Sequence, residues 1–265
     1  MISIIIMEWI ELAIRWLHGI TAIAWIGTSF YFIALDLGLK RNKGLAKGVL
    51  GEQWQVHGGG FYNIQKYGVA PPNLPENLVW FKWESYATWL SGFALLAIVY
   101  YGGADLYLVD HQVAYIESGL AILISIFSLG LGWLFYDLLC KSRLGKDSNL
   151  LLIILFFFLF FLSWFYTSIF SGRAAFLHLG AFTATIMTAN VFFIIIPNQK
   201  IVVADLKAGK IPDASYGFIA KQRSTHNNYL TLPVIFFMLS NHYPLAFAAE
   251  LNWAIAPLVF LLGVS

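Results

Sequence analysis

A single cysteine, Cys140, in 265 residues excludes an internal disulfide framework, a cysteine-based zinc site and a CxxCH haem attachment within this chain. Methionine is nearly as scarce. Met187 and Met238 stand alone in their apolar runs, and no Met or Cys cluster offers the soft ligands that Cu(I) selects. Charged residues make up 11% of the chain, where soluble domains carry about 25%. That is too little polar surface for a water-soluble fold of this size. No basic run exceeds "KRNK" at Lys40–Lys43, so nucleic-acid binding is not expected. Heptads, internal repeats and low-complexity linkers are absent. "MISIIIMEW" has too short an apolar run and too little basic charge for a signal peptide.

What is present is apolar and aromatic. The chain is 59% hydrophobic, with 10 Trp, 13 Tyr and 23 Phe, and its mean hydropathy is +0.72. A span needs about 20 mostly apolar residues. Seven segments qualify: Trp9 to Leu37, Trp83 to Tyr101, Ala114 to Asp137, Leu150 to Ser168, Ala174 to Ile196, Ser224 to Ser240, and Ala246 to the end. Pro197 is expected to stop the fifth, and Pro233 lies inside the sixth. The fold expected is all-α, one polytopic transmembrane bundle over residues 1–265, with a long segment between its first two spans.

Basic residues orient the bundle. Of 16 Lys and Arg, all but Arg15 and Arg173 fall in three alternate segments: Lys40 to Lys82, Lys141 to Lys146, and Lys200 to Arg223. The positive-inside rule then places the N-terminus in the periplasm and the long first segment in the cytoplasm of a bacterial inner membrane.

Six histidines divide by depth. His18, His178 and His242 lie toward the outer ends of spans and His111 in an outer loop, whereas His57 and His226 lie at the cytoplasmic side. Ionisable groups inside spans are costly and commonly functional. His18, Trp25 and Ser29 share a face of the first span, and His178, Ala181, Thr185 and Thr188 form a similar stripe in the fifth. Such stripes serve equally well as helix-packing glue or as sites for axial haem ligands, two facing histidines being able to hold one b-type haem. His226 and His242 sit one at each end of the sixth span, about 24 Å apart along a helix, and cannot share a ligand. The ends they occupy read also as interfacial caps.

The long segment holds the densest polar sequence, from His57-Gly58-Gly59-Gly60 through Trp83 and Glu84. Glycines let backbone N–H groups approach an anion or carbonyl. HGGG is like the oxyanion motif of esterases, but no GxSxG nucleophile elbow accompanies it. A glycine-rich turn is the plain alternative. A segment this long and this aromatic is expected to be functional.

Three stretches, "WLHGITAIAWIGTSFYFIALD", "WQVHGGGFYNIQKYGVAPPNLPENLVWFKWESYATWLSGF" and "STHNNYLTLPVIFFMLSNHYP", together resemble the membrane domain of bacterial membrane-bound urate hydroxylases of the PuuD type, through nearly the whole chain. The helix pattern of His18 followed by "AWIG" is more distantly similar to copper-resistance D and protoporphyrinogen-oxidase-like membrane proteins, some of which bind haem b. The urate hydroxylase resemblance implies eight helices followed by a c-type cytochrome domain. The chain therefore reads as C-terminally truncated, or its cytochrome as a separate protein. The implied activity is oxidation of urate to 5-hydroxyisourate in purine catabolism, with electrons passing to cytochrome c and a downstream terminal oxidase. The alternatives are a haem-b relay subunit and a copper or small-anion transporter.

Urate is a planar anion, so its site needs cations or N–H donors, a stacking surface and a base. The expected catalytic residues are His57, Glu84 and His226. The expected substrate contacts are Gly58, Gly59, Gly60, Lys66, Tyr67, Lys82, Trp83 and Asn227. The expected cofactor residues are His18, His178 and His242, with His18 and His178 as ligands to haem iron.

Overall fold

The computed structural model describes residues 2–68 and 74–264. Pro71 and Pro72 of the long segment lie outside the described residues, as do Met1 and Ser265. The first helix, α1 (Ile2–Gly38), is 37 residues long, about 55 Å at 1.5 Å per residue. That exceeds a hydrocarbon core of about 30 Å, and the helix carries its apolar side chains outward, with Trp9, Trp16 and Ile23 exposed.

Part of the long segment is regular. Residues Val49–His57 (β1) and Gly60–Tyr67 (β2) form an antiparallel hairpin with His57 opposite Gly60 and Trp54 opposite Asn63. Gly58 and Gly59 form its turn at φ +58° and +79°. A two-residue turn with both central residues at positive φ matches the right-handed twist of the strands, and glycine adopts it without strain. The hairpin is tied to the end of α1: Lys66 pairs with Asp36 at 2.6 Å, and the Tyr31 hydroxyl donates to Gln55 Oε1 at 2.9 Å.

Helix α2 (Trp83–Leu95) runs on as a π-helical turn over Leu96–Tyr101, covering the second expected span. After a short α3 (Ala104–Tyr107), α4 (Ser118–Lys141) and α5 (Ser148–Thr167) form an antiparallel pair. Asp147 caps α5 by accepting from the backbone N–H groups of Asn149 and Leu150, which satisfies two donors that a helix start leaves open.

Helix α6 (Gly172–Ala189) does not end at Pro197. It passes through a π-helical turn at Asn190–Ile195 and continues as α7 (Ile196–Lys207). A proline lacks the N–H for the usual i→i−4 bond, and a π turn shifts the register so that the bond is not needed there. Helix α8 (Ala214–Ser240) likewise starts well before Ser224. The last apolar stretch is broken into α9 (Pro244–Phe247) and α10 (Asn252–Val264).

Among the described residues, four helical segments are long and apolar enough to cross a membrane: Ile4–Gly38, Ser118–Lys141, Ser148–Thr167 and Gly172–Lys207. The last is the central one. It is buried along most of its length, with α2, α4, α5 and α8 against it, while α1 leans on α2 and α10 fills the angle between α5 and α8.

Candidate functional site

Two hollows open at the end of the bundle that carries the hairpin, on neighbouring faces of α8 that share Lys221 and Thr225. On that helix Lys221, Ser224, Thr225 and Asn228 recur at i, i+3, i+4 and i+7 and face the first hollow. On α1, Trp25, Thr28, Ser29, Phe32 and Asp36 do the same. The remaining wall comes from Trp80, Phe81, Glu84 and Ser85 at the start of α2, and from Val191, Ile195 and Gln199 around the π turn. The cavity measures about 390 Å³, within the size range of small-molecule sites.

Its polar groups are unevenly satisfied. Glu84 Oε2 and Ser85 Oγ are buried without a hydrogen-bond partner, although they are adjacent in sequence and line the same space. Buried polar atoms in folded proteins are nearly always paired, and exceptions mark strain, chemistry or a missing ligand. Lys221 supplies a cation at the rim, while Asp36 is already neutralised by Lys66. Trp25, Trp80 and Phe81 supply aromatic surface. Together these offer an electron-rich planar anion a positive charge, a ring to lie against and a carboxylate to take a proton.

Asn227 belongs to this wall but is committed elsewhere. Its Oδ1 accepts from Asn190 Nδ2 at 3.0 Å and its Nδ2 donates to Met187 O at 3.0 Å. Asn190 Nδ2 also donates to the Tyr136 hydroxyl at 3.0 Å, and that hydroxyl lies 2.8 Å from His226 Nδ1. Asn190 begins the π turn, so the same backbone irregularity that carries the helix past Pro197 holds this network in place.

The other sequence-expected residues are spread out. His57 is exposed at the hairpin turn with Gly58 and Gly59, and Gly60 pairs back to it. None of the four lines the cavity. Tyr67 ends β2, Lys82 lies 5.8 Å over the Trp83 ring, and Trp83 is exposed beside Tyr86. His226 faces the second hollow. His242 is exposed just past the end of α8. Glu84 and Asn227 are the two members of the expected set that the cavity brings together. Trp25, Ser85, Gln199, Lys221 and Asn228 also line it and lie outside the expected set of substrate contacts. The polar run "KQRSTHNN" at the head of an apolar helix was the available signal for the last two.

The outer histidines do not fit a shared haem. His178 is fully buried, with Nδ1 2.7 Å from Ala174 O and Nε2 2.6 Å from Ser125 Oγ. A carbonyl only accepts, so Nδ1 carries the proton and the Nε2 lone pair is taken by the serine hydroxyl. Phe170, Tyr166 and Tyr100 enclose the ring. His18 Nδ1 is 3.1 Å from both Thr88 O and Ser91 Oγ, and its ring is pressed on Gly92, where an added Cβ would lie 2.8 Å from His18 Cε1. Both histidines act here as packing and hydrogen-bonding residues between helices. Among the described residues, no group of three or more His, Cys, Asp or Glu is placed to hold a metal ion.

Compared with known proteins, residues 4–265 match the family model described as urate oxidase N-terminal. No curated protein and no solved structure matches the chain.

Proposed function

The chain belongs to the urate oxidase N-terminal family, and from that premise we propose that it binds and oxidises urate in the cavity between α1, α2, the π turn and α8. Membership supports a membrane protein linked to urate oxidation. The observation that carries the location is the unpartnered Glu84 Oε2 and Ser85 hydroxyl in a cavity that Lys221 also lines. In this reading Lys221 holds the urate anion, Gln199 and Asn228 donate to its ring carbonyls, and Trp25 or Trp80 stacks on its face. Glu84 takes a proton as water adds at C5, a role that needs a carboxylate within hydrogen-bond reach of the reacting group. Urate and water give 5-hydroxyisourate, two protons and two electrons, and the electrons pass on toward cytochrome c, on a fused domain or a separate protein.

The same reading places seven helical segments across a bacterial inner membrane, with the N-terminus outside and both hollows at the cytoplasmic end. That is where the clustered Lys and Arg belong and where a purine from catabolism arrives. The test is anaerobic: urate is added to purified protein with oxidised cytochrome c, and absorbance at the urate and cytochrome bands is followed. Stoichiometric loss of urate with reduction of two cytochromes is expected. Urate binding with no electron transfer would make this a binding protein, and absence of binding would remove the proposal.

A further inference from the structure

The second hollow carries a charge that urate oxidation does not use. Arg223 is 1% exposed. One of its nitrogens donates to Asp137 Oδ1 at 2.8 Å, and its guanidinium lies 4.9 Å from the centre of the Tyr136 ring. Its Nε and other terminal nitrogen have no partner. Asp137 gives its second oxygen to Lys141 at 2.6 Å, and Lys146 and Lys221 line the same mouth. Asp147, next to Lys146 in sequence, turns its carboxylate onto the start of α5. A buried guanidinium with open donors and an excess of cations around it calls for an anion.

Below that mouth the walls change character. Leu151, Leu155, Phe158, Leu159, Phe182 and Phe260 line a cleft of about 800 Å³ between α5, α6, α8 and α10. Water could serve the guanidinium, but it would gain little from such walls. An inorganic anion would fill only the mouth. A negatively charged head with a long apolar tail satisfies both parts.

We propose that this cleft is a binding site for one anionic phospholipid, its phosphate on Arg223, Lys141 and Lys146 and an acyl chain along the Leu and Phe walls. The site is wired to the first cavity. Tyr136, under the guanidinium, bonds to Asn190, and Asn190 bonds to Asn227 in the cavity wall. Loading the cleft therefore steadies the wall that faces the substrate, and anionic lipid tightens urate binding; this second effect rests on the proposed function above.

The experiment places full-length protein in nanodiscs of phosphatidylcholine with or without phosphatidylglycerol. Retained lipid is read by native mass spectrometry, and urate affinity by equilibrium binding. Wild-type protein is expected to retain one phosphatidylglycerol in preference to phosphatidylcholine. Each basic residue near a membrane surface is worth about fivefold in such binding, so the K141Q/K146Q pair should lower retention by roughly 25-fold. Arg223→Gln should abolish it; because that variant can fail to fold, the exposed lysine pair carries the test. Equal retention of both lipids by wild type, unchanged retention in the lysine pair, or a neutral quinone found in the cleft would overturn the site. Failure of urate to bind in either nanodisc strikes the substrate reading alone, because lipid retention is read without urate.

Discussion

Replacing Asn190 with leucine tests whether the buried network between the two hollows holds the site together. The side chain is fully buried, and its one amide nitrogen serves both the Tyr136 hydroxyl and Asn227 Oδ1, each at 3.0 Å. Leucine keeps the volume and removes both bonds. Hydrogen bonds between membrane helices average about 0.6 kcal/mol each, and stranding Asn227 Oδ1 away from water adds about 1–3 kcal/mol. Asn190 Oδ1 is itself unpartnered, so losing it returns part of that cost. The net expectation is a loss of about 2 kcal/mol, a drop in Tm of about 4–8 °C for a domain of this size. Asn190→Ala adds a void on top and should fall further. The assay is thermal unfolding in one detergent, followed by intrinsic fluorescence, with urate affinity measured alongside. A change below about 1 °C for Asn190→Leu would refute the reasoning. It would mean that the amide is not the link between α4, α6 and α8.

Glu84→Gln is expected to lower kcat by about 10²- to 10⁴-fold while leaving urate affinity within a few-fold, the pattern of a lost proton acceptor; steady-state kinetics beside equilibrium binding separates the two, and unchanged kcat would remove Glu84 from the chemistry. Lys221→Gln should instead weaken urate binding by about tenfold with a smaller effect on kcat, and the wild-type affinity should fall with added salt while that of the variant should not. His57→Ala should leave turnover near wild type because the hairpin turn lies outside the cavity; an inactive but folded variant would bring that turn into the site. Gly59→Val, at φ +79°, should destabilise the hairpin by about 1–2 kcal/mol, seen as faster amide exchange over β1 and β2 with the bundle unchanged.

The apolar runs and the clustering of lysine and arginine in three segments were legible in the sequence because they answer to the solvent, and solvent acts on each residue separately. The helical membrane domain and the bounds of α2 with its π turn follow from that pattern. Glu84 and Asn227 came instead from the chemistry that a urate site needs. The glycines of HGGG carried two meanings, a ligand cradle and a turn, and only the strand pairing of Val49–His57 with Gly60–Tyr67 chose between them. Pro197 signalled a helix end by its missing N–H, and the π turn at Asn190–Ile195, just before it, carried the helix through. His178 looked like a ligand on a polar stripe until Ser125, 53 positions away in sequence, took its free nitrogen. The two faces of α8 show the division most plainly. Their residues alternate at helical spacing in the sequence, but whether a face meets Glu84 or Arg223's apolar cleft depends on which helices pack against it, and that is decided by contacts between segments rather than by any one of them.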